Sequence, residues 1–122
     1  MEKHVLLIEP DNDARVVFRE MLKRQGFEVV SAASAFEGLE IIEKRLEEFQ
    51  LLMVSREMPE KLGLELVGVV RGKRKSVRII LTTTNSDLKI REVSREAGAD
   101  YVFEKPFSIQ KLHDALFVLG VV

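Results

Sequence analysis

Five times along the chain a short β-like run gives way to a longer stretch with helical periodicity, and no other feature constrains the fold as tightly. The runs are HVLLIE (4–9), FEVVSA (27–32), LLMVS (51–55), VRIILT (77–82) and DYVF (100–103). All but the second and last are near-continuous in apolar residues, as expected of strands covered by helices on both faces, so the sheet is expected to be parallel. Right-handed crossovers in such a doubly wound α/β sheet bring functional groups to the crevice at the carboxyl ends of the strands.

The intervening segments carry their own signals. Ala14, Val17, Phe18, Met21 and Leu22 fall on one face of a first helix that ends at Gly26. Ser34 with Glu37 forms a capping box for a second helix that buries Ala35, Leu39, Ile42 and Leu46. A third helix is expected from about Leu64 to Val70. Thr84 to Asp87 caps a fourth, with Ile90, Val93 and Ala97 inward and Gly98 at its close, and Ser108 caps a fifth with Ile109, Leu112, Leu116 and Leu119 inward. No linker, low-complexity segment or internal repeat interrupts this (βα)5 rhythm, so residues 1–122 read as one domain.

Composition narrows the chemistry. There is no cysteine, which removes thiolate catalysis, Cys-based zinc sites and disulfides. Lys+Arg 19 against Asp+Glu 20 leaves no global field to draw the chain to nucleic acid or anionic membrane. The apolar runs are far shorter than the ~20 residues that span a bilayer, and MEKHVLLI lacks the length and cleavage site of a secretory signal. A cytoplasmic, soluble chain is expected.

The five strand tips are Glu9-Pro10-Asp11, Ala32-Ala33, Ser55-Arg56-Glu57, Thr82-Thr83-Thr84 and Glu104-Lys105-Pro106. They gather an acid, hydroxyls and an amine. With VLLIEPD, the run ending in SREMP, the following GLEL, IILTTT, EAGADY and EKPF in this order, the chain resembles the CheY-like receiver domain of two-component response regulators along essentially its whole length. The resemblance implies a flavodoxin-like five-stranded parallel sheet in the order 2-1-3-4-5.

In that family an aspartate at the tip of the third strand takes a phosphoryl group from a sensor kinase, with Mg²⁺ held by that aspartate and two acids after the first strand. A hydroxyl after the fourth strand and a lysine after the fifth contact the phosphoryl group. By resemblance, Thr83 matches the hydroxyl and Lys105 the lysine, while Glu9 matches the first acid. Pro10 stands in place of the second acid, Ser55 in place of the acceptor aspartate, and Glu57 where a backbone carbonyl serves the metal. Both departures fall on the chemistry. A hydroxyl is a poor nucleophile without a positioned base, and Glu9 alone is a thin Mg²⁺ site, with Asp11 or Glu57 left to supply an oxygen only if the site is rearranged. No cofactor is expected, Mg²⁺ included. With no phosphoryl group to meet, Lys105 is expected to pair with Glu9 or Glu57. The aromatic switch residue of the family falls at Val102, with Tyr101 beside it pointing to the other face.

The resulting expectation is a pseudo-receiver, an interaction module rather than an enzyme, whose partner is a sensor kinase, another receiver or an output domain, with dimers plausible from the family. Two alternatives come with it: a phosphorelay receiver using the displaced carboxylate of Asp11, and a sensor in which a small anion bridges Thr83 and Lys105. The basic stretch RGKRKSVR, with Arg71, Lys73, Arg74, Lys75 and Arg78, reads as a solvated connection, because a nucleic-acid site would need a continuous basic surface with aromatic or groove-entering elements. His4 and His113 read as packing or surface residues, and EKRLEE as a charged helix face.

Overall fold

The computed structural model describes residues 2–59 and 62–122. The chain runs β1 (Lys3–Ile8), α1 (Asn12–Arg24), β2 (Phe27–Ala32), α2 (Ala35–Arg45), a single 3₁₀ turn (Leu46–Glu48), β3 (Leu51–Ser55), α3 (Gly63–Lys73), β4 (Arg78–Thr83), α4 (Leu88–Ala97), β5 (Tyr101–Glu104) and α5 (Ile109–Val118). The strands form one parallel sheet in the order β2-β1-β3-β4-β5, the flavodoxin-like arrangement.

Alternation along each strand divides the core into two layers. Leu6, Ile8, Leu52, Val54, Ile79 and Leu81 face α2 and α3, meeting Ile42, Leu66, Val67 and Val70. Val5, Leu7, Leu51, Met53, Ile80 and Phe103 face α1 and α5, meeting Phe18, Leu22, Phe107, Leu112 and Leu116. Every residue of β3 is buried, which is why its sequence shows no polar alternation.

The caps lie where the side-chain chemistry puts them. Asp11, Ser34, Asp87 and Ser108 each accept a hydrogen bond from the amide three residues on, at the starts of α1, α2, α4 and α5. Gly26, after α1, has φ +92°, and Gly98, after α4, has φ +123°, a region L side chains rarely adopt.

Several expectations need correction. β1 begins and ends one residue earlier than 4–9, and β4 and β5 begin and end one residue later than 77–82 and 100–103. Val77 is fully buried, yet the chain joins the ladder only at Arg78, whose amide donates to the Gln50 carbonyl. Val17 is 49% exposed, because α1 meets the sheet through a stripe centred on Phe18 and Leu22 that leaves Val17 outside it. Leu46 is buried but belongs to the 3₁₀ turn after α2.

α3 starts one residue before and runs three past 64–70, so the basic stretch is not simply a solvated connection. Arg71 donates to the Gly98, Val77 and Lys75 carbonyls at 2.8 to 3.1 Å and pairs with Asp100 at 2.8 Å. Arg74 donates to the Leu46 and Phe49 carbonyls. These two guanidiniums satisfy carbonyls at chain turns, while Lys73, Lys75 and Arg78 remain exposed.

Candidate functional site

Register assembles the site. Ile8 lies opposite Val54, Ser55 opposite Thr82, and Thr83 opposite Glu104, so the residues just beyond those positions converge at one end of the sheet. Two loop bonds fix their approach: the Arg56 amide donates to the Thr82 carbonyl at 2.8 Å and the Lys105 amide to the Thr83 carbonyl at 2.7 Å. Behind β3, Gly63 leaves no room for a side chain, since a Cβ there would collide with the Ser55 carbonyl and the Arg56 backbone.

Lys105 is the hub. Its ammonium donates to Ser55 Oγ at 2.9 Å and to Glu9 Oε1 at 3.2 Å, and lies 3.4 Å from Glu57 Oε1. The expected pairing with Glu9 or Glu57 is thus a pairing with both. Glu9 is almost wholly buried, and its other oxygen accepts from the Asp11 amide at 2.9 Å. Ser55, also buried, accepts from Lys105 and donates its own proton to the Glu57 carbonyl at 3.2 Å.

Glu57 holds the outer half of the site. The Thr83 hydroxyl donates to Glu57 Oε2 at 2.6 Å, the Thr84 amide donates to Oε1 at 2.9 Å, and Arg56 Nε lies 3.2 Å from Oε2. Arg56 Nε and the Asn85 amide also donate to Thr83 Oγ1, at 3.0 and 3.1 Å. Burial alone would push the Glu57 carboxyl up, but the Thr83 hydroxyl, the Thr84 amide and the charges of Lys105 and Arg56 together outweigh it and hold the group below the usual glutamate range.

A depressed carboxyl stabilises the folded chain above the unfolded value, about 4.3 for glutamate. That contribution is lost as pH falls through the lower folded value. Glu57→Gln is therefore expected to flatten the acid limb of stability below about pH 4.3. Urea unfolding midpoints measured across that limb for both chains check this; parallel limbs would contradict it.

Of the other residues singled out in the sequence, Pro10 lies beside Glu9 with no side-chain donor or acceptor, and Asp11 is exposed and engaged with the Ala14 amide at 2.8 Å. Val102 is buried, whereas Tyr101 sits on the opposite face of β5 with its ring 4.9 Å from Phe103. His4 pairs with Glu2 and His113 with Gln25, both outside the site. Sequence reasoning placed Arg56 and Thr84 at strand tips but gave neither a role in the site, and Thr84, expected at the cap of the fourth helix, gives its amide to Glu57 while Asp87 caps α4. The signal for Arg56 was its place directly after the strand tip; an amide such as that of Thr84 carries none.

The donor set does not fit a hard divalent cation. At the three family positions Pro10 supplies no oxygen, Ser55 supplies a neutral hydroxyl bound to an ammonium, and Glu9 is a single carboxylate already paired. Among the described residues no three His, Cys, Asp or Glu side chains are grouped to hold a metal ion.

With fold and site in view, the sequence matches the response regulator receiver domain over residues 5–117, and the chain belongs to that family. Sporulation initiation phosphotransferase F of Bacillus subtilis (strain 168) is 26% identical over 116 residues, covering 95% of this chain and 92% of that protein. Transcriptional regulatory protein PdtaR of Mycobacterium tuberculosis (strain ATCC 25618 / H37Rv) is 31% identical across 93% of this chain. CpxR of Escherichia coli (strain K12), also a transcriptional regulatory protein, is 29% identical across 88%. The chain spans about half of those two regulators, 55% and 45% of their lengths. Chemotaxis protein CheY4 of Vibrio cholerae superposes with a TM-score of 0.88 at 26% identity, over 98% of this chain and 99% of that one. A CheY-like receiver domain from Methanospirillum hungatei JF-1 gives 0.89 at 28% identity, over 98% and 95%. Two-component signal transduction is the function of such a domain. No described helix is long and apolar enough to cross a membrane.

Proposed function

We propose that this receiver domain is a cytoplasmic protein-interaction module that works without an aspartyl phosphate. The observation that carries the reading is the Ser55 hydroxyl, held between the Lys105 ammonium at 2.9 Å and the Glu57 carbonyl at 3.2 Å. Its lone pair faces a cation and its proton faces a carbonyl, so no base is placed to activate it. A carboxylate at this position would arrive ionised; the serine does not. On this reading the site takes up no Mg²⁺, because Pro10 and Ser55 bring no carboxylate and Glu9 is already paired with Lys105.

The readout is altered as well. Val102 is β-branched and buried, and it offers no aromatic ring to swing between two positions. The domain then presents one surface to its partner, which is a sensor kinase, another receiver or an output domain, and it can pair with a second copy.

The test is intact mass after incubation with a small-molecule phosphodonor and Mg²⁺. The natural chain is expected to stay unmodified, while Ser55→Asp, alone or with Pro10→Asp, is expected to gain a phosphoryl group. An adduct on the natural chain would overturn the reading, and mapping it to Asp11 would favour a displaced-carboxylate phosphorelay.

A further inference from the structure

Resting on the reading that no phosphoryl group is mounted on Ser55, we propose that Glu57 is a built-in ligand. Its carboxylate fills an oxyanion position framed by the Thr83 hydroxyl, the Thr84 amide, Lys105 and Arg56, and its removal opens a site for a tetrahedral oxyanion.

The donors around Glu57 are those of an anion site. One oxygen receives the Thr83 hydroxyl at 2.6 Å and faces Arg56 Nε at 3.2 Å; the other receives the Thr84 amide at 2.9 Å and faces the Lys105 ammonium at 3.4 Å. Two cations, a hydroxyl and a backbone amide converge on one group, and each bond to a charged partner is stronger than its neutral counterpart. Glu9 offsets one of the cations from below through its 3.2 Å contact with Lys105. Taking away Glu57 leaves the other cation uncompensated beside free donors.

The position is open to solvent species. A cleft of about 550 Å³ is lined by Arg56, Glu57, Met58 and Leu64, so Glu57 and Arg56 are reached from it. A free anion that used Thr83 and Lys105, as the anion-sensor alternative requires, would have to displace this carboxylate.

The contact also reaches α4. Thr83 Oγ1 accepts from the Asn85 amide at 3.1 Å, Asn85 Oδ1 accepts from the Asp87 amide at 3.2 Å, and Asp87 caps the helix through the Ile90 amide at 2.9 Å. Glu57 therefore ties Thr83 and Thr84, the start of the hydrogen-bonded run that leads to the α4 cap, from within the chain. The surface there is held in one arrangement with no modification at all.

Backbone NMR on the intact chain, Glu57→Ala and Glu57→Gln decides the matter. Amide exchange at Thr84 and Asn85 is expected to quicken roughly tenfold or more in Glu57→Ala, as a charge-assisted bond is lost. Inorganic phosphate is expected to bind both variants saturably, with shifts centred on residues 83–85 and 105, and to bind the natural chain at least about tenfold more weakly. Glu57→Gln keeps the side-chain shape, and the titration of the natural chain needs no variant. Unchanged exchange, or phosphate binding equal in all three chains, overturns the proposal; so does tight phosphate binding to the natural chain at the Thr84 amide. Mass measured on the same samples after phosphodonor treatment separates the two failures: an adduct on the natural chain defeats the phosphate-independent reading, whereas equal phosphate binding without an adduct defeats the role of Glu57 alone.

Discussion

Lys105→Met is expected to destabilise the domain by about 3 kcal/mol, the lower end of what removing one partner of a buried ion pair costs. The Glu9 carboxylate is only 2% exposed, and Lys105 only 13%. Without the ammonium, Glu9 retains one bond, from the Asp11 amide, and the Ser55 hydroxyl loses its donor. Glu57 suffers less, since it keeps Thr83, Thr84 and Arg56. Removing both charges of the pair should therefore undo most of the damage, because an apolar replacement of a whole buried pair is often neutral. The double variant Glu9→Met/Lys105→Met is expected within about 1 kcal/mol of the natural chain. Urea unfolding of the four chains completes the cycle; additive losses would mean that Lys105 acts through its packed stem and not through its charge.

Such a cluster is a poor source of net stability, so its presence at the end of a well-packed sheet calls for another account. In a receiver that accepts a phosphoryl group, lysine and hydroxyl meet that group. Here they meet Glu57, and the loop that depends on them is ordered by a bond internal to the chain. On the proposed reading, the same side chains keep the surface at residues 83–87 in shape with a hydroxyl, Ser55, at the tip of β3.

Much of this was legible in the residues. Two periodicities, continuous apolar runs and helical stripes, suffice to order the elements, and capping chemistry marks the starts of α2 and α5 at Ser34 and Ser108, whereas α4 is capped by Asp87, the last residue of the expected Thr84–Asp87 signal, and the Asp11 cap of α1 was not read. The convergence of Glu9, Ser55, Thr83 and Lys105 follows from parallel topology, which sends every strand tip to one end. The pairing of Glu57 with Lys105 was read from the residues, but its bonds to Thr83, Thr84 and Arg56 were not. Glu57 lies two residues past a strand end, where no periodicity constrains direction, and its placement depends on a hydroxyl and an amide contributed by β4 and the loop after it. Arg71 and Arg74 were misread for a related reason. Charge on a loop-like string suggests solvent, but a guanidinium with five donors can satisfy carbonyls from several segments at once. Val17 shows the limit of the helical stripe itself, since a sheet covers less of a helix than the apolar face can offer.

Phe107→Ala is expected to cost about 3 kcal/mol as a cavity opens where a large buried ring is deleted. The ring stands between Phe18 and Phe103, with centroids 4.8 and 4.7 Å away, and so ties α1 to β5 at the turn that carries Lys105. Phe107 is 8% exposed, which keeps the estimate at the lower end of the range. At about 4 °C per kcal/mol for a domain of this size, the melting temperature should fall by roughly 12 °C. Phe107→Leu retains most of the apolar volume and is expected to lose less than half as much. The deletion should also reach the site, because Lys105 is two residues from the lost anchor and its ammonium must still meet Glu9 and Ser55. Coupling between Phe107→Ala and Lys105→Met measures this directly: if the ring positions the lysine, their losses sum to less than the two taken separately, and strict additivity would confine Phe107 to the core.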